Sequence, residues 1–223
     1  MKLTKEKAEA LVRNGINGKK MIDAKIRHSF AVAHAAKKIA EKCGFNGEEA
    51  YILGLVHDIG CHFNNGVQHP YNGYKLLKSL GYNKEAYVCL THSFLHGDPN
   101  CTADGPIFKD GIVYPNYILP WEKEEESKEV LEFLKTHKYS VEEHIVNLCD
   151  LMCTDKIIGL DKRLIDLIAK KGAFSTTQKH IKAAKDLEKF FEQQMGCSML
   201  ELFPEIFENQ KQPETYRAGM PQD

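Results

Sequence analysis

The sequence lacks the features that would direct a chain to a membrane or to nucleic acid. No apolar run is long enough to span a bilayer. Lys and Arg number 30 against 31 Asp and Glu, so the formal net charge is only -1. Such a balance provides no global field for an anionic membrane or a nucleic acid duplex. Residues 1–7 are charged and have no signal-peptide core, which predicts a cytoplasmic protein.

A disulfide framework is also missing. The seven cysteines are odd in number and scattered along 223 residues, a length that can bury a core without cross-links. We therefore expect reduced thiols. Cys149 and Cys153 lie four residues apart on a predicted helix and could share a metal ion. Two small core residues on one helix face are the favoured interpretation, because a free cysteine behaves as a small apolar side chain.

What the sequence does contain is helical periodicity along most of its length. Apolar residues recur at helical spacing, and capping residues and glycines mark the boundaries of each segment. The predicted helices cover approximately 4–14, 23–42, 48–57, 71–80, 84–95, 123–135, 141–152, 161–170 and 177–194. This pattern predicts one all-α domain over residues 1–223, with a C-terminal tail over about 210–223 that frays.

Residues 97–127 interrupt this helical pattern. The segment is rich in glycine, proline and aromatic residues and contains the only tryptophan, Trp121. A stretch of this length without periodicity is typical of a functional lid or a surface excursion. The interleaved aromatics favour an ordered lid, and packing of the same aromatics onto the protein for stability is an equal alternative. Residues 111–119 are compatible with a short hairpin.

The most informative motif is an apolar run that ends in His57 and Asp58, followed by Ile59 and Gly60. Neighbouring imidazole and carboxylate groups can hold one metal ion through a nitrogen and an oxygen. By itself, a His-Asp pair is close to a chance occurrence in this composition. The pair becomes informative through the order of the residues around it. Other histidines and an aspartate precede and follow it on helices that are apolar enough to face a core.

Four of these residues extend the motif. His28 lies on an earlier helix, His69 precedes the start of another, His92 lies near the end of the next, and Asp150 lies within a capped helix. A bundle that directs all of these side chains and the His-Asp pair inward would line one cavity with imidazole and carboxylate. This donor set suits iron, manganese, cobalt, nickel or zinc.

In this arrangement the chain resembles the HD-domain superfamily of metal-dependent phosphohydrolases, and most closely its subgroup with an HDIG motif. The resemblance covers roughly residues 28–156, with the aromatic segment as an elaboration. It implies an HD-type helical bundle that binds one or two divalent transition metal ions. It also implies hydrolysis of a phosphate mono- or diester by a metal-activated hydroxide, with a small-molecule phosphate such as a nucleotide as substrate.

The resemblance also implies a ligand set. The metal ligands that it assigns are His28, His57, Asp58, His69, His92 and Asp150. Asp58 would bridge two metals and take part in catalysis. Asp155 is the rival for the last ligand, and we favour Asp150 because it follows the apolar run of its helix directly. The two cannot project from the same helix face, since they are five residues apart.

One departure from the family concerns the substrate. Many relatives carry a lysine directly after Ile-Gly, where it can meet a phosphate, and this chain has Cys61. Four other residues near the motif are candidate substrate contacts: Arg27, Lys156, His62 and His96. His96 could alternatively support or replace His92 as a ligand. His34 is expected in a structural or exposed position, and His137, His144 and His180 are expected at the surface.

Two other functions are compatible with these residues. Some relatives with two metals use iron to activate oxygen and cleave a carbon–hydrogen bond, and the missing lysine at position 61 weakly favours that chemistry. A sensor that retains the fold without turnover is the third hypothesis, although the presence of every expected ligand argues against it.

Overall fold

The computed structural model describes residues 2–15, 18–63, 68–99, 101–103, 107–109, 112–114 and 124–211. Its α-helices are α1 Lys5–Asn14, α2 Asp23–Lys42, α3 Gly47–Val56, α4 His69–Ser79, α5 Asn83–Thr91, α6 Glu124–Thr136, α7 Val141–Asp150, α8 Leu160–Lys171, α9 Thr177–Met195, α10 Met199–Leu202 and α11 Glu205–Lys211. Short 3-10 turns cover Ile59–His62 and Leu95–Gly97. The predicted all-α helical bundle is confirmed.

One small hairpin accompanies the helices. Strand β1, Ile107–Lys109, pairs antiparallel with β2, Ile112–Tyr114. The hairpin therefore begins earlier than the predicted range of 111–119. Residues 100, 104–106, 110–111 and 115–123 of the predicted lid lie outside the described residues, and so does the tail from 212 onward.

The centre of the bundle is formed by α2, α3 and α7, each of which packs against the other two. Helix α2 presents small residues to α3, and a Cβ added at Gly54 would lie only 3.0 Å from the Cα of Ala33. The two helices therefore approach each other closely at this point. This approach brings His28 on α2 and His57, which follows α3, into one neighbourhood.

Local capping accounts for several helix starts. The side chains of Thr4 and Asn46 accept hydrogen bonds from backbone N–H groups in the first turns of α1 and α3. Ser140 and Glu143 form the predicted capping box at the start of α7. These interactions satisfy backbone donors that the helix itself leaves without partners.

Helix α5 is shorter than predicted, because it ends at Thr91 and not at Leu95. The side-chain amide of Asn147 on α7 donates to the carbonyl oxygens of Thr91 and His92, at 2.8 and 2.9 Å. A tertiary contact therefore satisfies carbonyls at the end of α5, and the chain turns there. The sequence of α5 alone does not reveal the contact with Asn147, so helical periodicity could not predict this helix end.

Within the described residues, none of the helices has both the length and the apolar character needed to cross a membrane.

The turn after Asp58 requires glycine. A Cβ on Gly60 would overlap the carbonyl oxygen of His69 and lie 2.5 Å from the backbone nitrogen of Gly73. We expect Gly60→Ala to lower the free energy of unfolding by about 1–3 kcal/mol, the usual cost of overpacking, and to displace His69. Thermal unfolding measures the first effect, and metal content measures the second.

Gly47→Ala is the matched control, since the atoms nearest to its added Cβ belong to the flexible Glu41 side chain. A Gly60→Ala protein as stable and as rich in metal as the Gly47→Ala protein would contradict the packing argument.

Candidate metal centre

The predicted ligands converge although they come from five different helices or helix ends. His28 lies in the second turn of α2, and His57 and Asp58 directly follow α3. His69 begins α4, His92 directly follows α5, and Asp150 ends α7. All except His57 line a cavity of about 490 Å³, and His57 is fully buried behind them.

Asp58 lies at the centre of the cluster and directs its two oxygens toward different histidines. Its Oδ1 is 3.0 Å from Nε2 of His69 and 3.7 Å from Nε2 of His92. Its Oδ2 is 3.8 Å from Nε2 of His57 and 3.9 Å from Nε2 of His28. A buried carboxylate with this surrounding can bridge two ligand sets, one on each oxygen.

Three of the histidines have their orientation set by the backbone. Their Nδ1–H groups donate to carbonyl oxygens, His28 to Thr154 at 2.8 Å, His57 to Gly54 at 2.7 Å and His92 to Val88 at 3.2 Å. This arrangement directs each Nε2 toward the cluster, the orientation that metal-binding histidines have. Nε2 of His57 is buried and has no hydrogen-bond partner in the described part of the chain. Buried polar atoms are rarely left unsatisfied, so this atom fits a metal ligand.

The last carboxylate of the cluster is Asp150. Its Oδ1 is 3.0 Å from Nε2 of His28 and 3.7 Å from Nε2 of His57. The rival Asp155 is exposed at the rim of the cavity and forms an ion pair of 3.4 Å with Arg27. The geometry therefore brings Asp150, and not Asp155, into contact with the histidines.

The protonation states of Asp58 and His92 suit metal binding. Burial acts to raise the pKa of Asp58, but Lys25, His57 and His69 together hold that pKa well below its usual range. Asp58 is therefore ionised. Burial and the neighbouring His57 and His69 lower the pKa of His92 to about 3. The imidazole of His92 is therefore neutral at physiological pH and can offer a lone pair.

Lys25 is a site residue that the sequence reasoning missed. Its Nζ lies 2.8 Å from Oδ2 of Asp58 and lines the cavity. A signal was present, because Lys25 precedes His28 by three residues and so shares its helix face. Cys61, at the position where many relatives have lysine, is buried beside Asp58 and His69. Burial and Asp58 raise the pKa of this thiol, which keeps it neutral.

The four predicted substrate contacts do not line this cavity. Arg27 and Lys156 line a separate cleft of about 620 Å³. His62 is buried and donates from Nδ1 to the carbonyl of Lys19 at 3.0 Å, a contact that directs it away from Asp58. His96 is exposed, with its ring 5.5 Å from that of His144. Sequence proximity to the motif was misleading, because the local backbone and tertiary packing place these side chains outside the cavity.

The cavity instead recruits side chains from the C-terminal helices. The lining residues from α8 and α9 include Arg163, Asp166, Leu167, Lys170, Lys171 and His180. The prediction that His180 is exposed is wrong, since only 5% of it is accessible. His34 is exposed as predicted, while His137 and His144 are half-buried and not at the surface. Cys149 and Cys153 are fully buried in the core, as predicted.

A comparison with protein families identifies the module that carries the cluster. A family model described as HD domain matches residues 26–155, more than half of the chain, and this range contains every histidine and aspartate of the cluster. No curated protein and no solved structure matches the chain.

The geometry leads to a prediction about metal content. We expect the purified protein to bind about two transition metal ions per chain, as in two-metal sites. His69→Ala should lower this to about one ion, because it removes a ligand from the Oδ1 side of Asp58 alone. Asp58→Ala should remove both ions, since both ligand sets include this carboxylate. Elemental analysis of protein purified without chelator measures the stoichiometry.

His34→Ala, a histidine on an exposed position of the same helix as His28, serves as the control and should keep the wild-type content. Loss of both ions from His69→Ala, or of neither, would refute the two-sided arrangement.

Proposed function

The chain belongs to the HD-domain family, and from this membership we propose that it is a two-metal phosphohydrolase that acts on small-molecule phosphate esters. The family is one of metal-dependent hydrolases. Phosphate esters, among them nucleotides, are the substrates that we expect for this member.

A single observation carries the two-metal part of the proposal. Oδ1 of Asp58 lies near His69 and His92, and Oδ2 lies near His28 and His57. One carboxylate thus lies between two histidine pairs. This is the donor pattern expected for two ions that share a bridging aspartate.

The residues that would hold the metals follow from these distances. His28, His57, Asp58 and Asp150 would hold one ion, and Asp58 with His69 and His92 would hold the other. When bound, such ions supply Lewis acidity for a phosphoryl oxygen and lower the pKa of a water molecule to the neutral range. Asp58 stays ionised in the cluster, so it needs no deprotonation before it can act as a ligand.

Lys25 would contribute the positive charge that position 61 lacks. Its Nζ reaches the cluster from α2 and its side chain remains partly exposed to the cavity. The neighbouring Asp58 raises the pKa of Lys25 and outweighs burial, which acts to lower it, so the side chain stays charged. A charged amine beside the metals can orient a phosphate by a charge-assisted hydrogen bond.

Hydrolysis of a phosphate ester panel tests the proposed function. The wild-type protein loaded with manganese, iron or cobalt should release phosphate or alcohol from members of a panel of nucleotides and other phosphate mono- and diesters. Asp58→Asn should be inactive. Metal-loaded wild-type protein that hydrolyses no member of the panel would refute the proposal, and oxygen consumption by the iron-loaded protein would favour oxygenase chemistry in its place.

Substitution of Lys25 tests its role in phosphate binding. We expect Lys25→Ala to lower kcat/KM by about tenfold to hundredfold, the equivalent of a lost hydrogen bond to a charged group, while metal content stays at the wild-type level. Lys37→Ala is the matched control, since Lys37 is a partly exposed lysine of the same helix that pairs with Glu41 and does not line the cavity. Unchanged kcat/KM for Lys25→Ala would remove Lys25 from the phosphate site.

A further inference from the structure

The metal cavity extends beyond the family module. Its ligands lie within residues 26–155, but a further wall is built from α8 and α9, which follow that range. Residues outside the shared module are positioned to distinguish one phosphate ester from another. The chemistry of this wall therefore carries information about the substrate of this particular chain.

One face of α8 forms much of this wall. Arg163, Asp166, Leu167 and Lys170 all line the cavity, at the spacing i, i+3, i+4 and i+7 that places residues on one helix face. Arg163 and Lys170 are separated by about 10 Å along the helix axis, from a rise of about 1.5 Å per residue. The wall thus has two cationic positions with a gap between them.

Arg163 lies in the first turn of α8 and lines the cavity together with the metal ligand Asp150 and with Thr154. Nε of Arg163 is buried and has no hydrogen-bond partner among the residues that the structure describes. A buried guanidinium nitrogen without a partner, in a cavity that also contains the metal ligands, is available to an anionic group of a substrate.

The other end of the wall is cationic as well. Lys170 and Lys171 both line the cavity near the end of α8. The acidic residue of this face, Asp166, forms an ion pair with Lys162 of its own helix. Lys170 and Lys171 therefore contribute two cationic side chains to this end of the cavity lining. Between the two ends, Leu167 from α8 and Leu95 from the turn after α5 supply apolar surface.

We propose that this cavity selects small molecules with two anionic groups. The scissile phosphate would lie between the metals and Arg163, and a second phosphate or carboxylate would contact Lys170 and Lys171. The body of the substrate would lie along Leu167. The assignment of the first anionic group rests on the proposed function, whereas the second follows from the charge of the α8 wall.

A pair of non-hydrolysable ligands tests the proposal without turnover. Pentane-1,5-bisphosphonate and pentylphosphonate differ only in the second anionic group, and their carbon–phosphorus bonds resist a phosphohydrolase. Titration calorimetry on the manganese-loaded, full-length protein should show about tenfold or greater preference for the bisphosphonate, as expected for one additional charge-assisted contact. Equal affinities, or binding of neither ligand, would overturn the proposal.

Variants assign the second contact to α8. The double variant Lys170→Gln with Lys171→Gln should lose the preference and keep its affinity for pentylphosphonate, which also demonstrates that it is folded. Lys182→Gln with Lys189→Gln removes the same charge from exposed positions of α9 and should keep the preference. If both double variants lose it to the same extent, the effect is one of net charge and the assignment to α8 is wrong.

The binding and hydrolysis experiments fail independently. Preference for the bisphosphonate in a protein that hydrolyses no phosphate ester would refute the proposed function and leave the two-anion cavity intact. Hydrolysis of a phosphate ester by a protein that shows no preference for the bisphosphonate would refute the two-anion cavity and leave the proposed function intact.

Discussion

The buried carboxylate of Asp58 determines how the centre of this protein is arranged. An isolated charge in the interior is costly, so a buried carboxylate needs partners of opposite charge or a metal. Here the cationic Lys25 bonds to Oδ2, and four histidines surround the two oxygens. The helices must supply these groups from different parts of the chain. The fold can be understood as the means of bringing them to one carboxylate.

Close backbone contacts make that convergence feasible. Gly54 allows α3 to approach α2, and Gly60 allows the turn after Asp58 to contact the start of α4 at His69. Any side chain at these positions would separate the elements that carry the ligands. The glycine of the His-Asp-Ile-Gly motif therefore has a packing role that is distinct from the chemistry of its neighbours, and both are needed for the same site.

The fold class, most helix boundaries and the convergence of the six ligands could be predicted, because periodicity, caps and motif order are local or family-wide properties. The substrate contacts could not. Arg27 is adjacent to His28 in sequence but faces a different cleft, because neighbouring residues on a helix point about 100° apart. Lys25 has the spacing that places it on the helix face of His28, but its contact with Asp58 depends on how α2 packs against α3. Arg163 and His180 come from helices beyond the motif, and only tertiary packing brings them to the cavity.

The most direct test of a shared Asp58 carboxylate is a crystal structure of the metal-loaded protein, with anomalous diffraction recorded at the absorption edge of the metal. Our account predicts two anomalous peaks per chain, one on each side of the Asp58 carboxylate. The first should contact His28, His57 and Asp150, and the second should contact His69 and His92. A single peak bound by His28, His57, Asp58 and Asp150, with His69 and His92 free of metal at saturating concentration, would contradict it.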